Sequence, residues 1–107
     1  MEKNYISIFV TSPSKREAKR IVFKLLEERL IACGNIISGV ESYFWWKKEI
    51  DCASEYLIIA KSVKPHFKNI EKRIKELHSY EVPEIIAIPI LSGSKEYLQW
   101  IAESVKI

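Results

Sequence analysis

Two stretches rich in strand-forming residues, Ile36 to Trp46 and Ile50 to Lys61, are separated by only Lys47-Lys48-Glu49. A connection this short holds neighbouring strands antiparallel, so the simplest reading is one long β-hairpin. At ten or more residues apiece, these strands exceed the usual length of about five or six. They must project beyond a small sheet as unpaired backbone, and pairing with another subunit is the physical way to satisfy it. Trp45 and Trp46 sharpen the point, because adjacent strand residues face opposite sides and only one indole can enter the subunit's own core. The other is expected in an intersubunit interface, since an exposed indole on a projecting hairpin leaves a large apolar surface in water.

The rest of the chain supplies elements around this hairpin. Tyr5 to Val10 is β-branched and aromatic enough for a strand, and Thr11-Ser12-Pro13-Ser14 stops it. Ser14 and Glu17 have capping-box spacing, and Ala18, Ile21, Val22, Leu25 and Leu26 recur at helical intervals, predicting a helix from about Lys15 to Arg29. Ser62 and Pro65 suit the start of a second helix with Val63, Phe67, Ile70, Ile74 and Leu77 as its buried stripe, ending near His78. Val82-Pro83 opposes further helix, and Glu84 to Pro89 reads as a buried strand. After Ser92-Gly93-Ser94, a last helix places Tyr97, Leu98, Ile101 and Val105 on one face with Trp100 beside it.

The order strand, helix, strand, strand, helix, strand is the βαββαβ arrangement of the ferredoxin-like α+β fold, here with an extra C-terminal helix in a single domain spanning residues 1–107. Right-handed crossovers place the first and third strands in the centre and the second and fourth at the edges.

A chain of 107 residues buries roughly two-thirds of its unfolded surface, enough for a core without staples. No apolar run approaches the ~20 residues of a membrane helix, and the start of the chain lacks a signal-peptide pattern, so the expectation is a cytoplasmic protein without a membrane partner. The net charge of +3 comes from lysines and arginines spread along the chain, not from the basic stripe of a nucleic-acid footprint. Cys33 and Cys52 lie at different distances from the hairpin turn and are not expected to form a disulfide.

Four ordered motifs resemble one family. Glu28-Arg29-Leu30-Ile31-Ala32-Cys33-Gly34-Asn35-Ile36, Tyr43-Phe44-Trp45-Trp46, His78-Ser79-Tyr80-Glu81-Val82-Pro83-Glu84 and Tyr97-Leu98-Gln99-Trp100 are similar to the CutA divalent-cation tolerance pattern in order and spacing. The resemblance implies a homotrimer whose sheets pack around a three-fold axis, linked to tolerance of copper and other divalent cations; Trp45 and Trp46 of the projecting hairpin are the candidates for its interface. Two departures stand out: Lys48 where the family's turn usually has glycine, and Ser79 where it typically has proline. Family members with an assigned copper site use a cysteine at the end of the first strand and a histidine pair at the end of the second helix. Those positions are Val10, Leu77 and His78 here, so His78 is the one surviving candidate ligand. A lone imidazole makes no tight site for copper or zinc. Cys33 is a weaker metal candidate, since a cysteine opening a buried strand more often fills space in a core.

Tyr80, Glu81, Pro83 and Glu84 form the densest polar and aromatic cluster, and with Lys61 they are candidates for a ligand site or intersubunit cleft; the plain alternative is a turn that positions the last strand. Glu41 and Glu55 lie at similar distances from the hairpin turn and are expected at solvated positions. The loop after the first strand lacks the paired cysteines of a soft-metal chaperone, and Tyr56 to Ala60 lacks the glycine-containing basic motif of an RNA-binding strand. No set of nucleophile, base and orienting group is evident, so no enzyme is expected. The reading is a trimeric cation-tolerance protein with no obligatory cofactor, binding a divalent cation such as copper weakly. The alternatives are a small-molecule-binding trimer resembling the PII signalling proteins, using Lys15, Arg16 and Lys61, and a scaffold for a partner protein.

Overall fold

The computed structural model describes residues 4–105. Eight elements follow in order: β1 (Tyr5–Ser12), α1 (Lys15–Glu27), β2 (Cys33–Trp46), β3 (Glu49–Val63), a 3-10 turn (Lys64–His66), α2 (Phe67–Leu77), β4 (Ile85–Pro89) and α3 (Lys95–Ser104). The strands form one antiparallel sheet in the order β2-β3-β1-β4. The central and edge strands are those that the crossover rule predicts.

Alternation along β1 sets the layers. Ile6, Ile8, Val10 and Ser12 are buried while the residues between them are only partly covered, so one face of the sheet meets the helices. Ile21 and Leu25 of α1 and Ile70 and Ile74 of α2 close over Ile8 and Ile58 there. Among the described residues, the opposite face is covered only at one end, where Ile101 and Val105 pack with Ala32, Val63 and Tyr5.

Several expectations need correction. Helix α1 ends at Glu27, and Arg29 adopts φ 59° beyond it. Ser62 and Val63 do not begin a helix. They are the end of β3, held by pairing to Ile6 and Tyr5 and by a 2.6 Å bond from Ser62 Oγ to the Leu30 carbonyl, so ladder bonds outweigh the local helix signal. Strand β4 is not a buried strand: Ile85 and Ala87 are partly buried against the core, and Ile86 and Ile88 are 51% and 46% exposed on the uncovered face.

Neither tryptophan enters the subunit's core, with Trp45 73% and Trp46 57% exposed. The reason lies in the register: β1 pairs with β3 only as far as Tyr56, whereas β2 and β3 continue together to Trp46 and Glu49. Beyond Val40 the hairpin is therefore a two-stranded arm with no helix over either side. Its turn is Lys47-Lys48, with Glu49 already in the strand, and both lysines have positive φ, 50° and 67°. That is the geometry of a tight hairpin turn achieved without glycine. A bulge lies between Ile37 and Val40, with Gly39 at φ 78°. Among the described residues, no helix is long and apolar enough to cross a membrane.

Candidate functional site

The cluster foreseen around Tyr80 sits where α2 hands the chain to β4, against the ends of β1 and α1. Leu77 is the last residue of α2, and His78 leaves it in an extended conformation at φ −83° and ψ 142°. The His78 side chain is fully buried. Its Nε2 lies 2.7 Å from the Thr11 carbonyl, and its Nδ1 accepts the Tyr80 N–H at 3.0 Å. A carbonyl can only accept and an amide N–H can only donate, so this pairing requires the neutral Nε2–H tautomer.

Glu17 completes one half of its capping box: its N–H donates to Ser14 Oγ at 3.1 Å. Its carboxylate turns instead toward the α2 end, where Oε2 accepts the Ser79 N–H at 3.1 Å and lies 3.3 Å from His78 Nδ1. The Tyr80 amide already occupies the lone pair of that nitrogen, so the Ser79 amide is the donor that satisfies Glu17. A proline at position 79 has no N–H for this bond.

The Tyr80 ring lies 4.8 Å from the His78 ring, and its hydroxyl donates to Glu55 Oε2 at 2.7 Å. Burial pushes the Tyr80 hydroxyl up to about 12, helped by the bond to Glu55 and by the negative charges of Glu55 and Glu17. Glu55 itself is only 6% exposed. The expectation that it is solvated is corrected, because the ladder sets Glu55 opposite Val40 and Glu41 opposite Ser54, which separates the two carboxylates. Only Glu41 is exposed.

Glu81 and Glu84 are exposed beside this junction and Pro83 is half-buried. Lys61 is not brought to them within one chain. It lies six residues from Glu55 along β3, roughly 20 Å in an extended strand, opposite Cys33 and Ser7, and its Nζ donates to Asn35 Oδ1 at 2.7 Å. Cys33 Sγ is 3.4 Å from the Tyr97 hydroxyl, whose pKa is pushed up to about 12, first by that bond and then by burial. Cys33 and Cys52 are both free thiols. Val10 and Leu77 are core residues. Among the described residues, no three His, Cys, Asp or Glu side chains are grouped to hold a metal ion. Sequence reasoning missed Glu17 and Glu55 as members of the cluster. The one signal for Glu55 was a carboxylate just before the apolar run Tyr56 to Ala60.

The family model of the CutA1 divalent ion tolerance protein matches residues 6–104. The chain belongs to the CutA1 family. The divalent-cation tolerance protein CutA of Archaeoglobus fulgidus is 44% identical over 99 residues, covering 92% of this chain and 96% of that protein. A solved CutA1 structure from Thermus thermophilus superposes with a TM-score of 0.94 at 39% identity, covering 95% of this chain and 99% of the other. The chloroplastic CutA 1 of rice is 37% identical across 94% of this chain, which spans 57% of that longer protein. The CutA1 family is described as a divalent ion tolerance protein, a role that names no reaction.

Proposed function

We propose that this CutA1 protein acts in divalent-cation tolerance as a cytoplasmic homotrimer, with the uncovered faces of three sheets packed together and cations such as copper bound weakly at most. The observation that carries the reading is the uncovered face. Ile37, Ile86 and Ile88 are each about half exposed there, with Phe9, Leu57 and Ile59 partly exposed in the same ladder. A soluble chain gains by removing such a contiguous apolar surface from water. The arm carrying Trp45 and Trp46 adds a second apolar surface that a neighbour can cover. The rice relative is named chloroplastic and an Archaeoglobus fulgidus structure is titled periplasmic, so these relatives do not share one compartment.

Weak metal binding follows from the state of His78. Both ring nitrogens are engaged, by Thr11 and by Tyr80, so a metal must displace one of those bonds, and Cys33 lies in a different part of the fold against Tyr97. Exposed Glu81 and Glu84 favour a cation over an anion near this junction. The PII-like alternative needs Lys61 of one subunit to meet Lys15 and Arg16 or the Tyr80 cluster of another.

Native mass spectrometry, with and without Cu(II), tests the reading on the wild type, on Ile86→Asp and on His78→Gln. A wild-type trimer that Ile86→Asp reduces to monomers, with copper uptake lowered by His78→Gln, supports it. A monomeric wild type removes the assembly, and copper uptake unchanged by His78→Gln removes His78 as the ligand.

A further inference from the structure

The core needs only one side of α1, formed by Ala18, Ile21, Val22 and Leu25. The other side is unusual in what it presents. Helical spacing places Lys15, Lys19, Phe23, Arg16 and Arg20 within one arc about 140° wide, with Phe23 near its middle. All four cations are exposed, and Phe23 is 61% exposed. None of the four belongs to an ion pair among the described residues, where Lys24 pairs with Glu27 and the Glu17 carboxylate is turned to Ser79 and His78. Charges that are spread along the sequence as a whole are thus gathered here on a turn and a half of helix. Two of them stand in the first turn, where the helix dipole opposes them.

We propose that this outer face of α1 docks on an anionic lipid bilayer, with Lys15, Arg16, Lys19 and Arg20 on headgroup phosphates and Phe23 entering the interface. Charge complementarity selects an anionic partner, since four unpaired cations lie within about two turns on the N-terminal side of Phe23, with Glu27, one turn beyond Phe23 on the same face, held by Lys24. Shape selects a flat one. The face is the convex side of a helix, whereas the cleft between the helices lies at the opposite end of α1 and is lined by Glu27, Glu28, Arg29 and Arg73 with mixed charge. A peptide needs a groove to lie in; a membrane surface does not. A cluster of four or more lysines and arginines on an amphipathic helix is the pattern of anionic-lipid recognition.

Flotation of the intact protein with phosphatidylcholine vesicles, and with vesicles also containing phosphatidylglycerol, tests this. The expected result is binding to the anionic vesicles alone, reversed by high salt. Lys19→Glu with Arg20→Glu lowers partitioning by at least about thirtyfold, the loss of two cations at the usual attraction per residue. Phe23→Ser weakens binding while leaving its salt dependence. These side chains are exposed, so circular dichroism of each variant should match the wild type. Absence of flotation, or equal flotation of the charge-reversed variant, overturns the proposal. So does binding of polyuridylate or of an acidic protein through the same residues while anionic vesicles stay free.

Discussion

The Tyr80 hydroxyl and the Glu55 carboxylate are joined by a 2.7 Å hydrogen bond that ties the α2–β4 connection to the middle of β3. Glu55 is 6% exposed, so the bond satisfies a carboxylate that has little access to water. Tyr80→Phe removes the donor and is expected to destabilise the protein by about 1–3 kcal/mol, the usual cost of an orphaned buried polar group. Glu55→Gln should cost less, since a neutral amide still accepts from the tyrosine. Urea unfolding of the two variants, with equal slopes, checks the ranking.

Alkaline stability follows from the same pair. The folded state raises the Tyr80 pKa from 10.0 to about 12, so between those values the folded chain holds a proton that the unfolded chain has released. The stabilisation is complete below pH 10 and lost as pH rises through 12. Tyr97 behaves alike, its pKa also raised to about 12. Unfolding midpoints measured across this window should fall for the wild type, fall less for Tyr80→Phe, and fall least when Tyr97→Phe is added. Parallel slopes in all three proteins would contradict the assignment.

Gly34 lies against Val22, and a Cβ on it would stand 2.8 Å from Val22 Cγ1. Absence of a side chain lets β2 approach α1 closely. Gly34→Ala is expected to cost about 1–3 kcal/mol through overpacking, and Val22→Ala in the same chain should recover part of that loss. A double-mutant cycle showing simple additivity would rule out the contact as the cause.

Lys48 adopts φ 67° at the hairpin tip, a region where a Cβ costs roughly 1–2 kcal/mol. Lys48→Gly relieves this strain but gives the unfolded chain more freedom. The expected net effect is a small rise in stability, of order 0.5–1 kcal/mol, the usual scale of such backbone substitutions. Calorimetry should record a higher Tm, and a lower one would mean that the lysine side chain makes a stabilising contact at the tip.

Neighbouring residues decided what could be read from sequence alone. The strand and helix order, the hairpin and the central position of β1 and β3 all follow from periodicity, turn chemistry and chirality, which act over a few residues or through general rules of connection. The family resemblance extended this to a function. The start of α2 was misread because Ser62 and Val63 satisfy a helix-start pattern locally, yet pairing with Ile6 and Tyr5 holds them in a strand. Both tryptophans stand clear of the core because β1 ends its pairing at Tyr56, a register that no local pattern encodes. Glu17 and Glu55 come from two separate elements, α1 and β3, and His78 and Tyr80 from the connection between α2 and β4. Only tertiary packing could bring them together, because the burial that makes Glu55 need Tyr80 exists only once the sheet and helices have closed around both.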